Sequence, residues 1–357
     1  CLSLADFSPQ RAGSAMNRNG TVHLPALGVV SALGIGKDEV RRNLFAGDRP
    51  GVVQRNDLLV DGSPVYVGEV TAKLPPVPEE LAVYASRNLA LTIAAADEIR
   101  SDIEDAIARY GRRRIAVVMG TSTSGISEGE RAIEHAIAAG KLPPGFDMRK
   151  QELGSAGEAL ARYLDLEGPA LSVSTACSSG AHALAMGRRL IQSGLVDAVV
   201  AGGADSLCRL TVNGFHALSA YTSSICNPFS QNRDGTMIGE GAALFLMEDR
   251  ESEIALYGSG SSTDAHSMTA PEPDGVGVEQ AINQALEEAG LTVDAIDYVH
   301  LHGTGTQHND PVESSVVSRL FGMNIPSSSS KGQLGHTLGA AGAMGARKGA
   351  KGLTDAT

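Results

Sequence analysis

The 357-residue chain contains no tryptophan, and aromatic residues make up only 4% of it. Base-stacking platforms for nucleic acid are therefore not expected. Basic residues are also in deficit: 29 Lys and Arg against 41 Asp and Glu give a net charge of -12, which argues against a general field for phosphate backbones. No apolar run reaches the ~18 residues that a membrane-spanning helix needs. Only four cysteines occur, at positions 1, 177, 208 and 226. Without a C-x-x-C pair or the density of a disulfide framework, they point to a reducing, cytoplasmic setting. Each thiol then needs its own explanation. The first fifteen residues start with Cys and lack the charged-then-apolar order of a signal peptide, so residues 1–15 read as an upstream tail with Met16 as the natural start.

What is abundant is glycine, 42 residues in all, together with short apolar runs that alternate with helical spacing. Thr21 to Gly34 and Ile115 to Gly120 read as strands, and Leu81 to Tyr110 as one long helical zone. Leu171 to Gly180 (L-S-V-S-T-A-C-S-S-G) is a β-branched run that ends in small residues and opens a helix from about Ser179 to Ser193. Val196 to Asp205 follows as a buried-type strand, which completes a βαβ unit with an expected right-handed crossover. Asn213 to Arg233 reads as irregular, and Gly239 to Asp249 and Glu253 to Gly260 as two strands of an antiparallel pair. Later come a helix at Gly277 to Ala289, a strand at Asp297 to His302 and a helix at Asp310 to Phe321 with Pro311 in its first turn. The expectation is an α/β protein with mostly buried parallel strands.

Three stretches carry candidate chemistry. Cys177 sits where a strand turns into a helix, and a helix N-terminus favours the thiolate, which is the nucleophilic form. A buried cysteine acting as a small hydrophobe is the alternative. The second stretch, His300 to Glu313, reads H-L-H-G-T-G-T-Q-H-N-D-P-V-E. Its glycines allow close backbone approach and its threonines offer hydroxyls. With His300 and His302 on one face of a strand and His308 and Asp310 nearby, a metal centre is one reading and a strand-capping histidine another. In the third, S-S-S-S-K-G-Q-L-G-H-T-L-G-A-A-G-A, Lys331 and His336 flank a glycine turn. A cysteine with two neutral imidazoles would supply a nucleophile plus hydrogen-bond donors.

These stretches, with P-F-S-Q-N-R-D-G-T-M-I-G-E-G-A and D-A-H-S-M-T-A-P between them, resemble the β-ketoacyl-acyl-carrier-protein synthases, the condensing enzymes of the thiolase-like fold. The resemblance runs from about Val22 to Ala343 with the motifs in family order. It implies a five-layer αβαβα fold with two similar halves: residues 16–252, which carry the nucleophile, and an incomplete C-terminal half, residues 253–343. It also implies decarboxylative Claisen condensation in fatty acid or polyketide chain elongation, in a homodimer. Cys177 would carry the acyl chain, His302 and His336 would hold the malonyl thioester carbonyl, and Lys331 would organise the site through Glu313, supported by Asp310. Thr304, Thr306 and Thr269 match the threonines that bind pantetheine, and Phe215 and Ile126 would line the acyl pocket. No cofactor of the enzyme's own is implied, because phosphopantetheine arrives on the acyl carrier protein, the expected partner. Thiolase proper is disfavoured by the lack of its late second cysteine, and a chain-length factor by the presence of Cys177.

Beyond Gly342 the family would continue into an apolar helix and a G-F-G-G type loop that completes an oxyanion hole. Residues 344–357 are read as a tail outside the family pattern, because their glycines and charges argue against a continuing buried helix. The expectation is therefore a frameshift or truncation after about Ala343, and a destabilised, dimer-dependent or inactive protein. The alternative functions are a catalytically impaired scaffold subunit and a metal-dependent enzyme using His300, His302 and His308.

Overall fold

The computed structural model describes residues 21–267 and 269–351, with side chains up to residue 346. The expected upstream tail (1–15), Met16, and residues 352–357 of the expected non-family tail lie outside the described residues.

The chain opens with β1 (Val22–Ser31), β2 (Gly34–Ile35) and α1 (Lys37–Ala46), followed by a hairpin of β3 (Val52–Arg55) and β4 (Val65–Gly68). The expected long helical zone is broken in two, α2 (Arg87–Asp97) and α3 (Arg100–Tyr110). Ile99 leaves the helical region at φ -125° and is fully buried, so the chain turns where an apolar side chain inserts into the core. After β5 (Ile115–Gly120), α4 (Ile126–Ala139) and α5 (Ser155–Tyr163) come β6 (Ala170–Val173), α6 (Ser179–Gln192) and β7 (Ala198–Asp205). Part of the stretch expected to be irregular is helical, as α7 (Arg209–Ala217), ahead of β8 (Gly241–Glu248) and β9 (Ala255–Leu256).

These strands form one sheet in the order β2-β1-β8-β7-β5-β6, with β9 beside β1. It is a mixed sheet. β5 pairs parallel with β6 and β7, while β8 runs antiparallel to both β7 and β1. The expected pairing of the Gly239–Asp249 strand with Glu253–Gly260 does not form: β9 is two residues long and takes the edge of β1 instead.

Side chains along the central strands alternate between two cores, as the two-residue period of a strand requires. Ile115, Val117 and Met119 face the layer of α2, α3 and α5. Ala116 and Val118, from the same strand, face α6 and a last helix, which also covers Phe245 of β8. Full burial of one such large side chain contributes ~2–3 kcal/mol.

The remaining elements are α8 (Val276–Ala289), β10 (Val299–His300), α9 (Asn309–Phe321), β11 (Ser327–Ser328), α10 (Lys331–Leu334) and α11 (Ala341–Lys351). β10 and β11 pair in parallel as a second, two-stranded ladder. It packs beside α11, and α8 packs against α9 through Gly275 and Val316. The layers therefore run helix, sheet, helix, sheet, helix. The expectation that no helix continues past Gly342 is not met. Packing carries the helix on despite its glycines: the small residues let Ala343 and Met344 bury against α6 and the large sheet. Among the described residues no helix is long and apolar enough to cross a membrane.

Candidate active site

Cys177 lies in the turn between β6 and α6, two residues before the first residue of the helix. Ala176 holds a left-handed φ of 52°, which makes the chain turn sharply enough to present the thiol. The turn is fixed by Ser179 Oγ, which accepts from the Thr175 amide at 2.9 Å and donates to the Ala176 carbonyl at 2.6 Å. α6 can sit close beneath because Gly180 has no side chain: a Cβ there would lie 2.8 Å from the Gly339 carbonyl oxygen and 2.9 Å from the Ala343 nitrogen.

His336 arrives from the opposite direction. Its main chain bridges Ile238, and its N-H donates to the Met237 carbonyl at 2.6 Å. Its ring is buried, with Nε2 2.9 Å from Cys177 Sγ. The Leu338 amide donates to Nδ1 at 3.3 Å, which leaves the ring proton on Nε2, facing the sulfur. The His302 ring stands edge-on to it, with centroids 5.2 Å apart at 85°. Lys331 Nζ, buried, approaches Nδ1 of His302 at 3.4 Å, so this imidazole too is left with its proton on Nε2. Both imidazoles are held well below their ordinary pKa and are neutral. For His302 the main cause is the Lys331 charge, and for His336 it is burial.

Among the described residues no ion pair joins Lys331 to Glu313, the carboxylate through which it is expected to organise the site. They grip the same stretch of backbone from two sides. Glu313 accepts from the amides of His302 (2.5 Å) and Gly303 (2.8 Å), while Lys331 Nζ donates to the His302 carbonyl. Burial pushes the Glu313 carboxyl up and the Lys331 ammonium down, each opposed by the other's charge. Asp310, buried, accepts from the Phe229 amide at 2.7 Å and the Gly305 amide at 3.1 Å, tying the glycine turn to the loop after Cys226.

The thiol itself departs from the sequence reading. Burial raises the Cys177 pKa and outweighs the opposing pull of Lys331, so placement at a helix start does not by itself make a low-pKa thiol here. The donor on His336 Nε2 is the group placed to stabilise the thiolate.

The other expected residues divide. Thr304 and Thr306 hydroxyls meet at 2.9 Å beside His302. The Phe215 ring lies edge-on to His336 with centroids 6.3 Å apart. Thr269 is exposed, its amide bonded to Ser267 Oγ, and Ile126 is half-buried at the first turn of α4, its amide bonded to the Thr123 carbonyl. No hydrogen bond joins either one to Cys177 among the described residues.

The alternative metal cluster of His300, His302 and His308 does not assemble among the described residues. β10 ends at His300, so His300 and His302 no longer share a strand face, and His308 caps α9. Among the described residues the converging donor set is instead Cys177, His302 and His336, whose ligand atoms lie within 4.8 Å of one another. Metal-binding imidazoles normally give their second N-H to an acceptor. Here a donor faces each Nδ1, which is the opposite arrangement.

Asp205, at the end of β7, was missed from sequence. It is fully buried and accepts from the loop after β5 and from the turn after His336. A carboxylate ending an apolar strand was the only signal available.

Two family models match the chain: the β-ketoacyl synthase N-terminal domain over residues 80–252 and its C-terminal domain over residues 254–357. A 3-oxoacyl-[acyl-carrier-protein] synthase 2 of Rhizobium meliloti (strain 1021) is 40% identical over 209 residues, 53% of this chain and about half (49%) of that protein's length. The tetracenomycin polyketide synthase ketoacyl synthase alpha subunit of Streptomyces glaucescens is 32% identical over 297 residues, 75% of this chain and 68% of the relative. Among solved structures, the ketosynthase (ApeO) in complex with its chain length factor (ApeC) from Xenorhabdus doucetiae superposes with a TM-score of 0.88 at 44% identity, over 93% of this chain and 84% of the other. Fold, motif order and these matches agree, and the chain belongs to the β-ketoacyl synthase family of the thiolase-like superfamily.

Proposed function

We propose that this protein is a β-ketoacyl-acyl-carrier-protein synthase that extends an acyl chain by decarboxylative Claisen condensation. The observation that carries the reading is the convergence of one thiol and two neutral imidazoles whose Nε2 atoms bear the protons. In the first half-reaction Cys177 sulfur attacks the acyl thioester of a carrier protein, and the carrier's pantetheine thiol leaves with a proton. In the second, a malonyl thioester binds with its carbonyl oxygen against the Nε2-H donors of His302 and His336. Loss of CO2 leaves the bonding electron pair as an enolate on that oxygen. Fixed donors stabilise such charge in a site that excludes water. The carbanion carbon then attacks the acyl-Cys177 carbonyl, and the sulfur departs.

Lys331 and Glu313 support this by fixing the His302 backbone, and Thr304 and Thr306 present hydroxyls to the pantetheine amides. No cofactor bound to the enzyme itself enters the scheme. A cytoplasmic location fits the unpaired thiols. β6 forms one edge of the large sheet with Ala170 and Leu171 exposed, and residues 174–176 beside the nucleophile are exposed as well. A second copy pairing along this edge, giving a homodimer, would cover them.

The test is release of CO2 from malonyl-acyl-carrier protein. The wild type is expected to release it, and His302→Ala and His336→Ala each to lose ~10²-fold or more in rate. A folded wild-type protein without release would instead favour a non-catalytic scaffold subunit.

A further inference from the structure

Asp205 has no exposed surface, and no step above uses it. Its carboxylate meets donors only. Oδ1 accepts from Thr121 Oγ1 (2.6 Å), from the Ser122 amide (2.9 Å), and from the amide and hydroxyl of Thr123 (2.8 and 2.9 Å). Oδ2 accepts from the Ser122 amide (3.0 Å) and the Gly339 amide (2.5 Å). Burial pushes the carboxyl up, and the hydrogen bonds from Thr121 and from the Ser122, Thr123 and Gly339 amides oppose that by favouring the anion.

The Gly339 contact reaches the active site. A Cβ on Gly339 would lie 2.7 Å from Asp205 Oδ2 and 2.9 Å from the Ser122 nitrogen, so the chain passes where only glycine fits. One residue earlier, Leu338 is held at φ 49°, a left-handed conformation that costs a leucine ~1–2 kcal/mol. The peptide plane that enters this turn carries the Leu338 N–H, which donates to His336 Nδ1. Strain of this kind persists only where the surroundings impose it, and the Asp205–Gly339 bond is the adjacent constraint.

We propose that Asp205 is a positioning residue: by clamping the Gly339 amide it holds Leu338 in its strained turn, and so keeps the proton of His336 on Nε2, facing Cys177. The inference rests on the condensing reading for its catalytic consequence, though not for the tautomer. The titratable groups that face Cys177 and His336 are Lys331, His302 and Asp205, and Asp205 alone reaches the turn through a backbone amide.

The experiment has two arms. Nitrogen-15 NMR of histidine-labelled wild-type protein, with His336 assigned by comparison with His336→Gln, is expected to show protonated Nε2 and bare Nδ1. Protonated Nδ1 overturns the proposal without reference to any variant. In the second arm, Asp205→Asn is expected to mix the two tautomers. It should also lower kcat for malonyl-thioester decarboxylation about 10- to 100-fold while KM stays within about twofold. A folded Asp205→Asn protein with the wild-type tautomer and kcat overturns it. Should Asp205→Asn not fold, the wild-type tautomer decides. Wild-type protein that releases no CO2 contradicts the condensing reading instead, and the tautomer still tests the role of Asp205.

Discussion

Replacing Lys331 by Met keeps an unbranched side chain, one atom shorter, and removes its charge from beside His302. Lys331 Nζ lies 3.4 Å from His302 Nδ1. At an effective dielectric of ~20, a proton added to that imidazole is opposed by ~5 kcal/mol of repulsion from the ammonium. This charge is the largest influence holding His302 neutral, ahead of its burial. In Lys331→Met the imidazole pKa therefore rises toward its ordinary value, and Nδ1 loses the donor that fixes the tautomer. Two effects on malonyl decarboxylation follow. The rate at neutral pH falls, by ~10²-fold if the Nε2-H donor is lost for most of the population. The pH–rate profile also gains an acidic limb, below the ~6.5 at which a free imidazole protonates, because burial still disfavours the charged ring. The wild type has no limb there, because His302 stays neutral. Stability changes little, since relief of a buried ammonium offsets the lost bond to the His302 carbonyl. The assay is initial CO2 release between pH 5.5 and 8. A Lys331→Met profile that keeps the wild-type shape refutes the electrostatic role assigned to this lysine.

Gly180→Ala places a methyl group 2.8 Å from the Gly339 carbonyl oxygen, between backbones that have no slack. It is expected to destabilise the protein by ~1–3 kcal/mol in chemical denaturation, and to slow acylation of Cys177 because the turn after His336 is displaced. Arg87→Ala leaves Glu240 unpaired at 0% exposure, where it now holds the guanidinium through two bonds. A loss of ~3 kcal/mol is expected, with Glu240→Gln recovering part of it in the Arg87→Ala background. Limited alkylation at pH 8 followed by peptide mapping is expected to modify Cys177 well ahead of Cys208 and Cys226. The latter two are buried, and burial pushes the Cys226 thiol up to about 11.

The residues that converge in space were visible in sequence because each sits beside a backbone signal. Cys177 follows a β-branched run, His302 stands before Gly303, and His336 follows a glycine turn. Sequence could not show which partner each would take. Lys331 and Glu313 both bind the backbone of His302, a result of where α9 and α10 begin. The role of helix placement in thiol reactivity was misjudged for the same reason, since burial depends on what packs above Cys177. Asp205 carried almost no signal, because its five donor groups come from segments 82–84 and 134 residues away. For the fold, strands with a strict alternation between two cores were found, while their pairing was not. Whether β8 runs beside β9 or β7 depends on which edges are already filled. The break at Ile99 and the helix after Gly342 were decided by tertiary packing against local propensity.

The central claim is that Cys177 carries the growing acyl chain. It is tested most directly by incubating the protein with an acyl-acyl-carrier protein, quenching in acid, and locating the added mass by peptide mass spectrometry. One acyl group per chain is expected, on the peptide that contains Cys177, and none in Cys177→Ala. Acyl mass on another residue, or none on a folded wild-type protein, would contradict it.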